Sequence, residues 1–138
     1  MPFELDWEAR GVHKRLWGFV SGEEFVRSVC AIQGDARFDA IHYIINDFSA
    51  VTGYALTADV LTEIVAQQYG AHATNPNCRI VYVTTDAALA TLVETHFGKA
   101  QAPAYETVVL PTLEEAREWL QNQPDLFEVS DWMGYRRL

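Results

Sequence analysis

Two short, stiff apolar runs constrain this chain more than any other feature: Ile41-His42-Tyr43-Ile44-Ile45 and Arg79-Ile80-Val81-Tyr82-Val83-Thr84. Both are dense in β-branched and aromatic residues without regular polar alternation, which is the signature of strands covered on both faces in a parallel sheet. Between them Val60, Leu61, Ile64, Val65 and Gln68 recur at helical spacing, with Thr57 placed to cap the helix and Gly70 to stop it. Strand, helix and strand make a crossover unit, and 138 residues hold one such layered domain and no second core.

The remaining elements follow from local chemistry. Phe3-Glu4-Leu5-Asp6-Trp7 alternates at period two, as an edge strand with one wet face does. A turn at Arg10-Gly11 leads into a second strand over residues 12–20, with Gly18 as a bulge, and so close a connection predicts an antiparallel pair. Ser21-Gly22-Glu23-Glu24 reads as a capping box opening a helix through Phe25, Val26, Val29 and Ile32, closed by Gly34 in a left-handed conformation. Residues 46–56, rich in Asn, Asp, Ser and Gly, read as a loop. Asn75-Pro76-Asn77 marks a turn. Asp86 caps a third helix with Leu89, Leu92, Val93, His96 and Phe97 on its apolar stripe and Gly98 at its end. Residues 106–110 form the last strand. Thr112-Leu113-Glu114-Glu115 is a second capping box, for a helix with Leu113, Ala116, Trp119 and Leu120 inward. The expected fold is α/β, ordered β-β-α-β-α-β-α-β-α, with helices flanking a mixed, mostly parallel sheet centred on residues 41–45. The domain spans residues 1–123. Residues 124–138 form an aromatic tail in which Phe127, Trp132, Met133 and Tyr135 are expected to pack on the domain or on a partner subunit.

Charge and composition exclude several function classes. Nineteen acidic against ten basic residues give a net charge of −9, and the cations are scattered, so polyanions are repelled and neither nucleic acid nor anionic membrane is an expected partner. No apolar run approaches the roughly 20 residues of a membrane span, and the first residues lack a signal-peptide pattern, which predicts a cytoplasmic protein. Cys30 and Cys78 stand 48 positions apart with no third cysteine, as reduced thiols do. His13, His42, His72 and His96 show no paired-ligand spacing, so no metal is expected; His72 and Cys78 share one loop without forming a motif. No glycine cradle for a nucleotide phosphate and no exposed-serine elbow occurs, so no cofactor and no catalytic residue is assigned. In an open parallel sheet a ligand or partner binds at the carboxyl ends of the strands. With Ser21, Asp86 and Thr112 used as caps, that rim offers Asp47, Ser49, Thr52, Tyr54 and Thr57.

The element order, the strand Ile44-Ile45-Asn46-Asp47-Phe48-Ser49-Ala50-Val51 running into a helix, and the segments Gly34-Asp35-Ala36-Arg37-Phe38-Asp39, Asn75-Pro76-Asn77 and Glu115-Ala116-Arg117-Glu118-Trp119-Leu120 resemble the STAS superfamily. They are most similar to its small, stand-alone bacterial SpoIIAA-like proteins of unknown function, and the resemblance covers residues 10–121. It implies a SpoIIAA-like fold and a non-enzymatic, regulatory protein-interaction module; a homodimer that buries the aromatic tail is the expected assembly. In the anti-sigma-factor antagonists of that superfamily, an Asp-Ser-Ser-Gly type motif presents a phosphorylated serine at a helix start. Here the matching stretch is Gly53-Tyr54-Ala55-Leu56-Thr57-Ala58. Thr57 is its only aliphatic hydroxyl and the phosphoacceptor candidate, with a helix dipole favouring a phosphate by ~1 kcal/mol and Asp59 opposing it. The alternative is a carrier of a small apolar or lipid-like ligand, because Leu, Val and Phe on the helices suffice to line a cavity. An enzymatic reading around Asp47 and His42 ranks last.

Overall fold

The run around Ile45 becomes the middle strand of a five-stranded sheet, where apolar neighbours are available on both faces and both edges. The computed structural model describes residues 2–124 and the backbone of 127–128 and 136–137. Its strands β1 (Phe3–Trp7), β2 (Gly11–Val20), β3 (Tyr43–Tyr54), β4 (Arg79–Val83) and β5 (Glu106–Leu110) lie side by side in chain order. β1 pairs antiparallel with β2, and the three other pairings are parallel. Helices α1 (Gly22–Gln33), α2 (Ala58–His72), α3 (Ala87–Phe97) and α4 (Leu113–Gln121) complete the predicted order.

Three helices pack on one face of the sheet and one on the other. Phe25 and Ile32 of α1, Leu61 and Ile64 of α2, and Leu89, Val93 and Phe97 of α3 form one core with Ile44, Ile80 and Tyr82. On the opposite face Ala116 of α4 meets Ile45, Val81 and Val83. α4 packs mainly on β3, β4 and β5, so most of the outer half of that face, on β1 and β2, has no helix over it. β1 therefore turns Phe3, Leu5 and Trp7 to the first core and leaves Glu4 and Asp6 for Arg15, which pairs with them at 2.9 and 2.7 Å.

The ends of the helices match the capping chemistry at most positions. Ser21 makes the full capping box with Glu24, both hydrogen bonds being 3.1 Å. Thr112 accepts from the Glu115 amide, but the Glu115 carboxylate takes the Thr112 hydroxyl rather than its amide, so the second box is only half formed. Gly34 caps α1 with φ −86°, a right-handed conformation any residue adopts, so its left-handed role is not realised. α2 runs through Gly70 to His72.

The largest departure lies in β3. Ile41 and His42 precede the strand, and residues 46–54, expected as a loop, continue it. The ten residues of β2 supply the ladder: Lys14 pairs with Asn46, Arg15 with Asp47, Trp17 with Ala50 and Phe19 with Gly53. Tertiary pairing thus overrides the turn preference of Asn, Asp, Ser and Gly. Two register shifts absorb the irregularity, one at Gly18, whose φ of +64° is the conformation glycine tolerates best. β4 ends at Val83 opposite Asp47, so beyond that point β2 and β3 project as a two-stranded ribbon. Gly11 is required for another reason: a Cβ there would lie 2.3 Å from the Tyr43 ring.

After α4 the chain reaches Pro124, whose carbonyl accepts from Arg79 at 2.9 Å. Further on, Phe127–Glu128 and Arg136–Arg137 pair antiparallel. The expected tail contacts of Trp132, Met133 and Tyr135, and of the Phe127 side chain, lie outside the described residues.

Candidate functional site

The five rim residues separate into three places. Asp47 and Ser49 stand on the face shared with α4, where the sheet is open to one side. Asp47 Oδ2 accepts from His13 Nε2 at 2.8 Å, and Asp47 Oδ1 accepts from the Ser49 amide at 2.9 Å and from its hydroxyl at 2.5 Å. Partial burial alone would raise the Asp47 pKa, but the hydrogen bonds from His13 and Ser49 outweigh it and bring the carboxyl down to about 2. The spatial order is serine, carboxylate, imidazole. Because the imidazole does not touch the hydroxyl and the carboxylate is a very weak base, this geometry supplies no activated Ser49 nucleophile. His42 is no partner for Asp47: it lies five residues earlier, about 16 Å along an extended chain.

This cluster predicts an acid-sensitive contribution to stability. A carboxyl depressed to about 2 stabilises the fold above its unfolded pKa near 4, and the stabilisation is lost as the pH falls between the two values. With the Asp47 side chain only 13% exposed, Asp47→Asn is expected to cost about 1–2 kcal/mol near neutral pH and about half as much near pH 3. Urea unfolding at the two pH values measures it; equal costs at both would contradict the assignment.

Thr52 and Tyr54 line a second place, a cleft of about 60 Å³ at the carboxyl ends of β3 and β4, together with Phe48, Thr84, Asp86 and Leu89. Burial first, and then hydrogen bonding to Asp86, raises the Tyr54 pKa. Asp86 also caps α3 through the amides of Ala88 and Leu89, so its carboxylate is already engaged. Thr57 is separate again, exposed at the start of α2, where its hydroxyl accepts from the Val60 amide at 3.3 Å.

Sequence reasoning missed the exposed aromatics of the ribbon. Trp17 is 40% and Phe19 59% exposed, and the Phe19 ring covers the position where a Gly53 side chain would begin. The pattern of residues 12–20 places both on a strand, with Gly18 as a bulge, without telling which of its side chains face solvent. The bulge and the absence of a helix over this part of the sheet leave these rings uncovered. The signal in the sequence was Gly18 itself.

The histidines and cysteines take ordinary places. His96 Nδ1 donates to the Leu92 carbonyl at 3.1 Å, and the His72 ring packs on Tyr105 at 5.6 Å. Cys78 is buried, which pushes its thiol up to about 12, and Cys30 is exposed; both are free thiols. Among the described residues no three His, Cys, Asp or Glu side chains are grouped to hold a metal, and no helix is long and apolar enough to cross a membrane.

The segments that carried the resemblance prove to be structural stitches. Asn75 Nδ2 donates to the carbonyls of Phe38 and Ile41, each at 2.8 Å, joining the segment before β3 to the segment before β4. Arg117 donates to both oxygens of Glu8 at 2.9 and 2.7 Å, and Tyr43 donates to the same carboxylate, tying α4 to the end of β1.

No family model and no curated protein matches the chain. Solved structures do. The anti-sigma factor antagonist SpoIIAA in its unphosphorylated form superposes with a TM-score of 0.60 at 15% identity, over 88% of this chain and 99% of that one. The phosphorylated form of SpoIIAA, described as a Bacillus cell fate determinant, gives 0.58 at 14% identity, over 86% and 98%. An uncharacterised protein from Shewanella loihica with a SpoIIAA-like fold gives 0.52 at 8% identity, over 86% and 91%. The chain has the SpoIIAA-like fold.

Proposed function

With the SpoIIAA-like fold as premise, we propose that the chain is a non-enzymatic, cytoplasmic regulatory module that works through protein contacts, and that its contact surface is the β2–β3 ribbon. The observation that carries this reading is the pair of exposed rings, Trp17 and Phe19, on a ribbon that has lost its β4 neighbour. Large aromatics anchor interfaces because each buries much area with few rotatable bonds, and an open strand edge offers backbone groups for pairing. Ser49 would supply a polar neighbour to these rings, and Thr52 and Tyr54 a separate polar cleft beside the ribbon. The resemblance to an anti-sigma factor antagonist supports a regulatory role without naming the partner.

A second copy of the chain is the partner to test first. Sedimentation equilibrium of the wild type is expected to show a dimer, and the double variant Trp17→Ser/Phe19→Ser is expected to weaken it at least about tenfold, while thermal unfolding at a concentration where both proteins are monomeric changes less, because Trp17 and Phe19 are 40% and 59% exposed in the monomer. A wild type that stays monomeric at the highest attainable concentration, or a double variant that dimerises equally well, overturns the homodimer. In this reading the segment after Pro124 packs on the domain or the second subunit, and a chain ending at Pro124 should then unfold at lower temperature or dimerise more weakly.

A further inference from the structure

β5 is the outermost strand of the sheet, and beyond its free edge no strand lies among the described residues. A groove of about 540 Å³ runs against the start of this strand. Its apolar lining comes from Phe97 at the end of α3, Pro103 on the connecting loop and Val108 of β5, while Glu94, Lys99 and Glu106 are its exposed charged residues. A space of that size takes several side chains. One arginine joins the groove to the end of α4. Arg79 Nε donates to Glu106 Oε1 at 3.1 Å, and Nη2 of the same guanidinium donates to the Pro124 carbonyl at 2.9 Å.

The segment 125–138 therefore starts at the rim of this groove, and Phe127, three residues beyond Pro124, stays within about 10 Å of it even in a fully extended chain. Backbone pairing sets Arg137 opposite Phe127, so an apolar ring and a cation arrive together at a groove whose two carboxylates outnumber its one amine. The uncovered β1–β2 half of the α4 face offers the segment less, because there Arg15 already pairs with Glu4 and Asp6, and His13 with Asp47. We propose that residues 125–138 dock on their own domain in the β5-edge groove, with Phe127 against Pro103 and Val108 and Arg137 beside Glu94, and that they shield the open edge of β5 from other chains. This placement rests on the tail contact proposed above and specifies it; it does not depend on the ribbon dimer.

A nitroxide at the chain end reads the placement in the full-length protein. Leu138→Cys carries the label, Cys30→Ser removes the exposed thiol, and Cys78, buried with its thiol pushed up to about 12, stays unlabelled. Amide NMR is expected to show the greatest loss of signal at residues 94–97 and 106–108 and the least on β1, and Phe127→Ser in the labelled chain should abolish that selectivity. A mixture of spin-labelled chain with isotope-labelled chain lacking the nitroxide should show no selective loss. Loss centred elsewhere on the chain would overturn the groove while leaving the tail contact standing, and no selective loss anywhere would overturn both. Selective loss in the mixture would overturn docking on the chain's own domain in favour of a second copy. Selectivity that survives Phe127→Ser would overturn the part assigned to that ring.

Discussion

Replacing Lys14 by methionine is expected to stabilise the fold by roughly 2–4 kcal/mol near pH 7, because it removes an amine held in an apolar interior without a counter-ion. The amine titrates at about 7 in the folded chain against an ordinary 10.5. The unfolded chain therefore binds more protons between those values, so the stability of the wild type rises with pH there and falls as the pH drops towards 7. At 1.36 kcal/mol per pH unit the rise from Lys14 alone is about 3 kcal/mol between about pH 7 and 9. Lys14→Met should flatten it. Above about 9 the window closes: Cys78, held at about 12, and the buried Tyr82 and Tyr105, pushed up by desolvation, resist ionisation in the fold and draw stability down. Methionine matches the length and flexibility of the lysine stem, and Ser28, whose hydroxyl oxygen accepts from Lys14 at 2.8 Å, keeps its own bond to the Phe25 carbonyl at 2.6 Å. Urea unfolding across the window reads both effects, and a variant that is less stable than the wild type at pH 7, or that keeps the full slope, would contradict the burial argument.

Asn75→Ala is expected to cost about 3–5 kcal/mol, since the change orphans two buried carbonyls at roughly 1–3 kcal/mol each and frees the turn that follows. The Asn75 amide serves Phe38 and Ile41, its Oδ1 accepts from the Asn77 amide at 2.9 Å, and its own carbonyl accepts from the Tyr105 hydroxyl at 2.7 Å. Aspartate is no substitute: it cannot donate to the two carbonyls, and it places a charge where the residue is 2% exposed. Tyr105→Phe, which leaves the amide untouched, should cost only about 1 kcal/mol. A shift in urea midpoint for Asn75→Ala no larger than that of Tyr105→Phe would mean that water replaces the amide.

How far the candidate site was legible varied with the range of the interactions that make it. The Asp47–Ser49 bond is local, two residues apart on one strand, and both residues stand out in the sequence. Its third member, His13, is 34 positions away from Asp47 and meets it only through the parallel register of β2 and β3. Lys14 was still less visible, because nothing in the run Val12-His13-Lys14-Arg15-Leu16 marks one of its basic residues as interior. Alternation decides it: Lys14 shares the helix-covered face with Val12 and Leu16, while Arg15 on the other face meets Glu4 and Asp6.

Period and capping residues alone determined the order of strands and helices, the starts of all four helices and the central place of the Ile45 strand. These depend on contacts within a few residues, where side-chain spacing and hydrogen-bonding chemistry act directly. Tertiary structure decided that β3 continues through residues 46–54, that Trp17 and Phe19 remain uncovered, and that the Lys14 amine lies in an apolar interior. Each of these depends on which distant segment arrives alongside and where it stops, and a strand's partner, unlike its pattern, is not written within the strand.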